Sequence, residues 1–260
     1  MKGILVDVTK CTGCETCVAA CISANKLDPE KAARDRTTSK DGLSANLFCA
    51  VEKVRGRYVR KACMHCLDPG CAAACPVGAL EKTAVGPVEY DPSKCIGCRY
   101  CMLACPFSIP RYEWDSRMPF VKKCTMCFER QKDGKKPACV EACPHGALTF
   151  GDRDALLKKA RALVDNNPRI YKSRIWGESS LGGSSLLYVS DVDLSEIGWP
   201  QEKSEAIPEI TEPLIRKTPV IGLTVGLGLW GVMTIVERRR KLNSGNEDHE
   251  SSDELEGNGE

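Results

Sequence analysis

Short stretches of apolar and β-branched residues recur along the first 150 residues, and one long apolar stretch lies near the end of the chain. The short stretches have the composition and length of strands. They are GILVDV (3–8), YVRKA (58–62), PVEYD (87–91) and ALTFG (147–151). Alanine-rich pieces between them predict short helices at VAAC (18–21), AAAC (72–75) and VEAC (140–143). The pattern predicts an α+β fold built from small elements.

The long apolar stretch, PVIGLTVGLGLWGVMTIV at 219–236, contains eighteen residues without a charge. A helix of that length is about 27 Å long, close to the ~30 Å hydrocarbon core of a bilayer. We predict one transmembrane helix with its basic flank over 218–241; the alternative is a buried helix of a soluble protein. Two basic residues precede the stretch and four follow it (238–241), which places the C-terminus in the cytoplasm. The acidic tail, 242–260, is expected to be disordered.

Charge and composition narrow the class of protein. The 260 residues include 37 basic and 35 acidic side chains, so no nucleic-acid partner is expected. Aromatic residues make up only 6% and cysteines number 17, so apolar burial alone is not expected to hold the fold together. The N-terminus, MKGILVDVTKC, has neither a long apolar run nor twin arginines, and no signal peptide is expected. Two charged inserts, 26–58 and 128–138, and the basic pair Lys122–Lys123 are expected at the surface.

Sixteen cysteines fall into four motifs with repeated short spacings. Motif III, KCIGCRYCMLACPF (94–107), has the spacing C-x2-C-x2-C-x3-C followed by proline, and every motif keeps x3 between its last two cysteines. The motifs are I (Cys11, Cys14, Cys17, Cys21), II (Cys63, Cys66, Cys71, Cys75), III (Cys95, Cys98, Cys101, Cys105) and IV (Cys124, Cys127, Cys139, Cys143).

This spacing is typical of iron–sulfur ligands. Three thiolates on a curling loop can reach three corners of one cluster, whereas the fourth, expected at the start of a helix, points away and ligates the neighbouring cluster. Cys105 is therefore expected on a different cluster from Cys95, and motifs must pair. Structural zinc is the rival, since sixteen thiolates could also hold four ions. The regular third cysteine and the following proline favour iron–sulfur clusters over zinc.

The four motifs, together with RIWGESSLGGSSLLYVSDV (174–192), GWP (198–200) and a single C-terminal span, resemble a known family. It is the four-cluster ferredoxin-like electron-transfer subunits of molybdenum- or tungsten-pterin oxidoreductases, and among them the β subunit of membrane-bound formate dehydrogenase. The resemblance implies tandem bacterial-type ferredoxin-like domains with four [4Fe–4S] clusters over 1–150 and a connecting or docking segment over 151–217.

The resemblance also implies that motif I pairs with IV and motif II with III, which gives four ligand sets. We call them sites 1 to 4. Site 1 is Cys11, Cys14, Cys17 and Cys143; site 2 is Cys124, Cys127, Cys139 and Cys21; site 3 is Cys63, Cys66, Cys71 and Cys105; site 4 is Cys95, Cys98, Cys101 and Cys75.

By the same resemblance, the protein relays electrons between a molybdenum- or tungsten-pterin catalytic subunit, nearer the I/IV pair, and a membrane cytochrome b or quinone-reducing subunit, nearer the II/III pair. It would be a subunit without its own substrate site, single-pass in the inner (cytoplasmic) membrane, with its cluster domain on the periplasmic side after export beside a twin-arginine catalytic subunit. Three alternatives stay open: the same relay in a hydrogenase, polysulfide or thiosulfate reductase complex, a structural zinc scaffold, and an enzyme whose cluster has an open iron.

Three residues have no defined role from sequence. Cys49 is expected to be a small buried apolar residue rather than a ligand. His65 and His145 lie beside motif cysteines, where each could donate a hydrogen bond to a cluster sulfur or simply be satisfied by solvent or protein.

Overall fold

Short strands and helices alternate along the described residues, 1–200 and 205–253, of this computed structural model. The strands are β1 Lys2–Asp7, β2 Cys49–Val54, β3 Arg57–Ala62, β4 Leu80–Lys82, β5 Val88–Tyr90, β6 Arg111–Tyr112, β7 Val121–Lys122, β8 Leu148–Asp152 and β9 Leu186–Val189. The α-helices are α1 Thr16–Ala24, α2 Pro29–Thr38, α3 Gly70–Ala73, α4 Tyr100–Ala104, α5 Phe128–Lys132, α6 Ala138–Glu141, α7 Arg153–Asn166 and α8 Ile207–Asp253.

The largest sheet has the strand order β8-β1-β9. Strand β1 pairs antiparallel with β8 and parallel with β9, with Ile4 opposite Phe150 on one side and Leu186 on the other. Both faces of β1 are buried, since Ile4 packs into the main core and Leu5 packs under α7. The first strand thus ties the two ends of the first unit, residues 1–210, to each other.

Helix α7 forms because Asp152 caps it and its apolar residues recur on one face. The Asp152 carboxylate accepts hydrogen bonds from the N–H groups of residues 154 and 155. Leu156, Ala160 and Val164, four residues apart, are buried against β1 and β9. The segment 151–217, predicted as a connection, therefore contributes α7 and β9 to the first unit.

The four motif-bearing regions pack in two pairs. Helix α1, with motif I, packs against α6, with motif IV, while α3, with motif II, packs against α4, with motif III. Separate hairpins, β2–β3, β4–β5 and β6–β7, connect the motifs. The paired helices bring cysteines that are distant in sequence into the same part of the core.

The structure confirms the four predicted strands and the α+β class, and it corrects three expectations. The fourth cysteine of motifs II, III and IV follows a short helix rather than starting one, because α3, α4 and α6 end before Cys75, Cys105 and Cys143. The insert 26–58 forms α2 and β2 and buries Leu47. Lys123, expected in solvent, is only 4% exposed.

Helix α8 belongs mainly to the second unit, which begins at Thr211. Its stretch Arg216–Lys241 has a mean hydropathy of 1.9 and is long and apolar enough to cross a membrane. Its large apolar side chains, including Leu223 and Trp230, are exposed. The backbone stays helical through 242–253, which were expected to be disordered, and 254–260 lie outside the described residues.

Candidate metal centres

One backbone feature recurs in all four motifs. The residue before the second cysteine has a positive φ in each: Gly13 (75°), His65 (49°), Gly97 (72°) and Met126 (54°). Non-glycine residues are uncommon in this left-handed region and are found where the surroundings impose the conformation. The shared kink curls each loop, so that successive thiols can face one centre.

A second recurrent turn follows the last cysteine of motifs II, III and IV. The third residue after it again has a positive φ, at Gly78, Ser108 and Gly146. This turn aims backbone N–H groups at sulfur: Ala79 N donates to Cys75 Sγ at 3.2 Å and Ile109 N donates to Cys105 Sγ at 3.5 Å. Such donors stabilise a thiolate, which is the form that binds iron.

The four cysteines of site 1 line a single cavity. Cys143 of motif IV reaches it across the paired helices and joins Cys11, Cys14 and Cys17. Val6, Leu148 and Arg60 form part of the remaining wall. The fourth cysteine of motif IV therefore lies beside three cysteines of motif I, which is the arrangement that the predicted pairing of these motifs requires. We call this exchange of the fourth cysteine between paired motifs the crossing.

Site 4 repeats the arrangement in the other pair. Cys75 of motif II lines one cavity together with Cys95, Cys98 and Cys101 of motif III, walled by Leu80, Tyr90 and Val121. The two cavities share neither a strand nor a motif. The same crossing is thus built twice from different residues.

At sites 2 and 3, the thiols of each predicted set lie close enough together to raise one another's pKa. At site 3, burial together with the Cys63 and Cys105 thiols raises the pKa of Cys71 to about 12. At site 2, a hydrogen bond with Cys49 and burial raise the pKa of Cys21, and Cys124 adds to the rise. Each fourth cysteine again lies near thiols of the partner motif, although ligation itself stays a prediction.

The sites follow one another in a row. Burial is the main cause of the raised pKa of one thiol at each junction, and a thiol of the next site adds to that rise. The junctions are Cys17 with Cys139 between sites 1 and 2, Cys124 with Cys63 between sites 2 and 3, and Cys71 with Cys101 between sites 3 and 4. Both ends of the row reach solvent, at Cys14 of site 1 and Cys98 of site 4.

The spacing of the thiols distinguishes a cluster from a single ion. Zinc needs four thiolates at about 2.3 Å from one centre. Among the described residues, which include all sixteen motif cysteines, no three His, Cys, Asp or Glu side chains converge closely enough to hold one ion. Thiols that surround a cavity without converging fit a cluster of several iron and sulfide atoms. The donor sets of sites 1 and 4 therefore fit a [4Fe–4S] cluster.

Buried cations near the sites add a second test of fit. Arg60, Lys82 and Lys123 are buried or half-buried. Arg60 donates to the Cys139 thiol, Lys82 donates to two carbonyls and the Ser185 hydroxyl, and Lys123 donates to the carbonyls of residues 88 and 124. Buried charges are normally paired with opposite charge. Anionic clusters at sites 1 to 3 would supply that charge.

His65 presents an unused donor beside site 3. It is fully buried, and its Nδ1 accepts a hydrogen bond from Val88 N at 2.9 Å, so Nε2 carries the proton. No described group accepts from Nε2. Burial and the nearby lysines lower the pKa of His65 well below its usual value, which keeps the ring neutral. A cluster sulfur is the natural acceptor for this N–H.

The other two residues without a defined role, Cys49 and His145, lie in different environments. Cys49 is fully buried, as expected, and its thiol donates weakly to Cys17 O at 3.9 Å. His145 is exposed and lies at the wall of site 1. Arg60 and Lys82 were not predicted from the sequence, because no motif marks a buried cation. For Arg60, the available signal was the strand YVRKA, which has a charged pair in an otherwise apolar element.

Comparison with known proteins was consistent with these sites. Residues 54–153, which contain motifs II to IV, match the 4Fe-4S dicluster domain family. Hydrogenase-2 operon protein HybA of Escherichia coli O157:H7 is 31% identical over 96% of this protein and 88% of its own length. The B subunit of anaerobic dimethyl sulfoxide reductase from E. coli K12 is 42% identical over 60% of this protein and 76% of its own length. The formate dehydrogenase-O iron-sulfur subunit of E. coli K12 is 36% identical over 71% of this protein and 65% of its own length.

Proposed function

Because this protein belongs to the 4Fe-4S dicluster family of iron–sulfur electron-transfer subunits, we propose that it relays electrons through four [4Fe–4S] clusters held at sites 1 to 4. The observation that carries this proposal is that one cavity at site 1 and one at site 4 are each lined by three cysteines of one motif and the fourth cysteine of its partner motif. The exposed ends, at Cys14 and Cys98, provide an entry and an exit. Buried thiols at sites 2 and 3 form the insulated middle of the path.

When bound, iron–sulfur clusters supply reversible one-electron storage. The protein's own residues fix where that storage lies. The kinked loops present the ligands, and buried apolar side chains such as Val6, Leu80 and Val121 limit access of water. Backbone N–H donors and buried cations stabilise negative charge on the sulfur atoms, which sets each site's affinity for an electron.

We propose a molybdenum- or tungsten-pterin catalytic subunit at the site 1 end and a membrane cytochrome b or quinone-reducing subunit at the site 4 end, as in a formate dehydrogenase complex. The sequence resemblance and the similarity to the formate dehydrogenase-O iron-sulfur subunit support this assignment. A hydrogenase complex is the second candidate, since the likeness to HybA extends over a larger share of both proteins.

We propose that α8 crosses the inner membrane once, with the C-terminus in the cytoplasm and the cluster domain on the periplasmic side. The support is the apolar stretch Arg216–Lys241 and the excess of basic residues after it. Protease added to cells with a permeabilised outer envelope should digest the cluster domain. Protection of that domain in such cells, with digestion only after lysis, would contradict this orientation.

The function is tested by extracting native membranes in mild detergent, capturing the full-length protein with its partners, and analysing metals and peptides. Molybdenum or tungsten, a pterin subunit and bleaching of the brown colour by formate are the expected result. Nickel and bleaching by hydrogen would keep the relay and assign it to a hydrogenase. A colourless protein rich in zinc would contradict the relay itself.

A further inference from the structure

Arg60 lies between sites 1 and 2. It is on strand β3 and is only 2% exposed. Its Nη2 donates to Cys139 Sγ of site 2 at 3.5 Å, and its side chain also forms part of the wall of the site 1 cavity. One guanidinium therefore reaches both cysteine sets of the I/IV pair.

The remaining donors of this guanidinium have no partner. Arg60 Nε and Nη1 are buried without a hydrogen-bond acceptor among the described residues. The Tyr188 hydroxyl donates to the Arg60 backbone carbonyl at 3.0 Å, and Tyr188 and the Cys49 thiol also lie near the guanidinium. Arginine stays protonated in proteins, so the charge cannot be relieved by losing a proton. A buried, permanent cation with two unpaired donors requires anionic acceptors, and the thiolates and sulfides of the two sites are placed to provide them alongside the Cys49 thiol.

We propose that Arg60 is a positioning residue that serves as a shared counter-charge for the clusters of sites 1 and 2 and raises the reduction potential of both. This inference rests on the proposed function. Each one-electron reduction adds one negative charge beside a fixed positive charge, so the reduced state gains more than the oxidised state. The guanidinium keeps its proton throughout, so no proton accompanies the electron. Site 4 lies beyond its contacts and provides an internal reference, whereas the charge of Arg60 reaches His65 beside site 3.

The test is a potentiometric titration, followed by electron paramagnetic resonance, of the full-length protein captured with its native partners. Arg60→Gln removes the charge and keeps polar donors, whereas Arg60→Lys keeps the charge on a differently shaped group. At a fixed potential, we expect Arg60→Gln to lower the reduced-to-oxidised ratio at least tenfold for two clusters, which is 59 mV for a one-electron couple. The site 4 cluster should be unchanged, the site 3 cluster should shift less than the first two, and Arg60→Lys should shift the first two less than Arg60→Gln does. Lys82→Met, beside site 3, is the reciprocal control and should leave both Arg60-dependent signals in place.

The outcomes separate the charge from a structural role. Full iron content with unchanged potentials in Arg60→Gln would overturn the inference and leave the relay intact. If Arg60→Gln fails to load sites 1 and 2 while Arg60→Lys loads them with potentials near the parent's, the need for a charge is supported. Loss of both sites in both variants would overturn it in favour of a packing role. Absence of iron from the parent protein would instead contradict the proposed function.

Discussion

Gly13 provides a direct test of the loop geometry at site 1. It has a φ of +75°, and a Cβ atom added there would lie 2.5 Å from the Tyr58 ring. Gly146 offers a matched control on the same site, because it has a φ of +60° with nothing within 4 Å of an added Cβ. Gly13→Ala therefore combines backbone strain with a ring clash, whereas Gly146→Ala introduces the strain alone.

The expected loss of cluster affinity at site 1 follows from the difference between the two variants. A left-handed conformation costs an alanine about 1–2 kcal/mol, and this applies to both positions. The clash with Tyr58 adds roughly 1–3 kcal/mol, the usual range for overpacking. Since 1.4 kcal/mol is a factor of ten, site 1 of Gly13→Ala should hold its cluster about ten- to a hundredfold less tightly than site 1 of Gly146→Ala.

The assay is retention of iron and of visible absorbance by the full-length protein during titration with an iron chelator. Adding Tyr58→Ala to Gly13→Ala should restore retention close to that of Gly146→Ala, because it removes the atoms that clash. Equal loss in Gly13→Ala and Gly146→Ala, or no recovery in the double variant, would refute this reasoning.

The remaining predictions concern sites 3 and 4. Cys105→Ala should remove the same paramagnetic signal as Cys66→Ala, because both cysteines are assigned to site 3, and a different signal from Cys98→Ala. Loss of the same signal in Cys105→Ala and Cys98→Ala would contradict the assignment of Cys105 to site 3. His65→Phe removes the idle Nε2–H, so one potential should fall by about 40 mV, equivalent to about 1 kcal/mol for one electron; an unchanged redox titration would contradict the hydrogen bond. Burial lowers the pKa of Lys82 to about 8 from its ordinary 10.5. In urea unfolding, the cluster-free parent protein should therefore gain stability relative to cluster-free Lys82→Met as the pH rises from 8 to 10.5, because over this range the unfolded state still binds a proton that the folded state has lost. The buried thiols with raised pKa values lower the stability of both proteins over the same range, so only the difference between the proteins reports Lys82. The same pH dependence in the two proteins would contradict the assignment to Lys82.

The fold was predictable where local pattern and ligand spacing agree. GILVDV and ALTFG became β1 and β8 because both stretches are apolar and short enough to be strands only. Helix α2 was missed although Asp28 caps it and Pro29 occupies its first turn, since the high charge of the insert suggested a loop. Strand β9 could not be placed from sequence, because its parallel pairing with β1 is a tertiary contact between strands that lie far apart in the sequence.

At all four sites, the cysteine ligands were predictable from the sequence, whereas the residues that surround them were not. Thiol spacing alone indicated which residues could hold iron, because thiolate ligands must follow the geometry of the cluster. The environment of those thiols depends on packing. Arg60 on β3 comes near Cys139 of motif IV only through the tertiary fold, since the two residues lie 79 positions apart. The Nε2–H of His65 is left without an acceptor because Val88 N donates to the other ring nitrogen.

The central claim is that sixteen cysteines hold four [4Fe–4S] clusters. The most direct measurement is the iron, acid-labile sulfide and zinc content of the full-length protein purified without oxygen, combined with Mössbauer spectroscopy of the iron. The account predicts about 16 iron and about 16 sulfide atoms per protein molecule, with spectra of cubane clusters and little zinc. About four zinc ions per molecule without sulfide would contradict it.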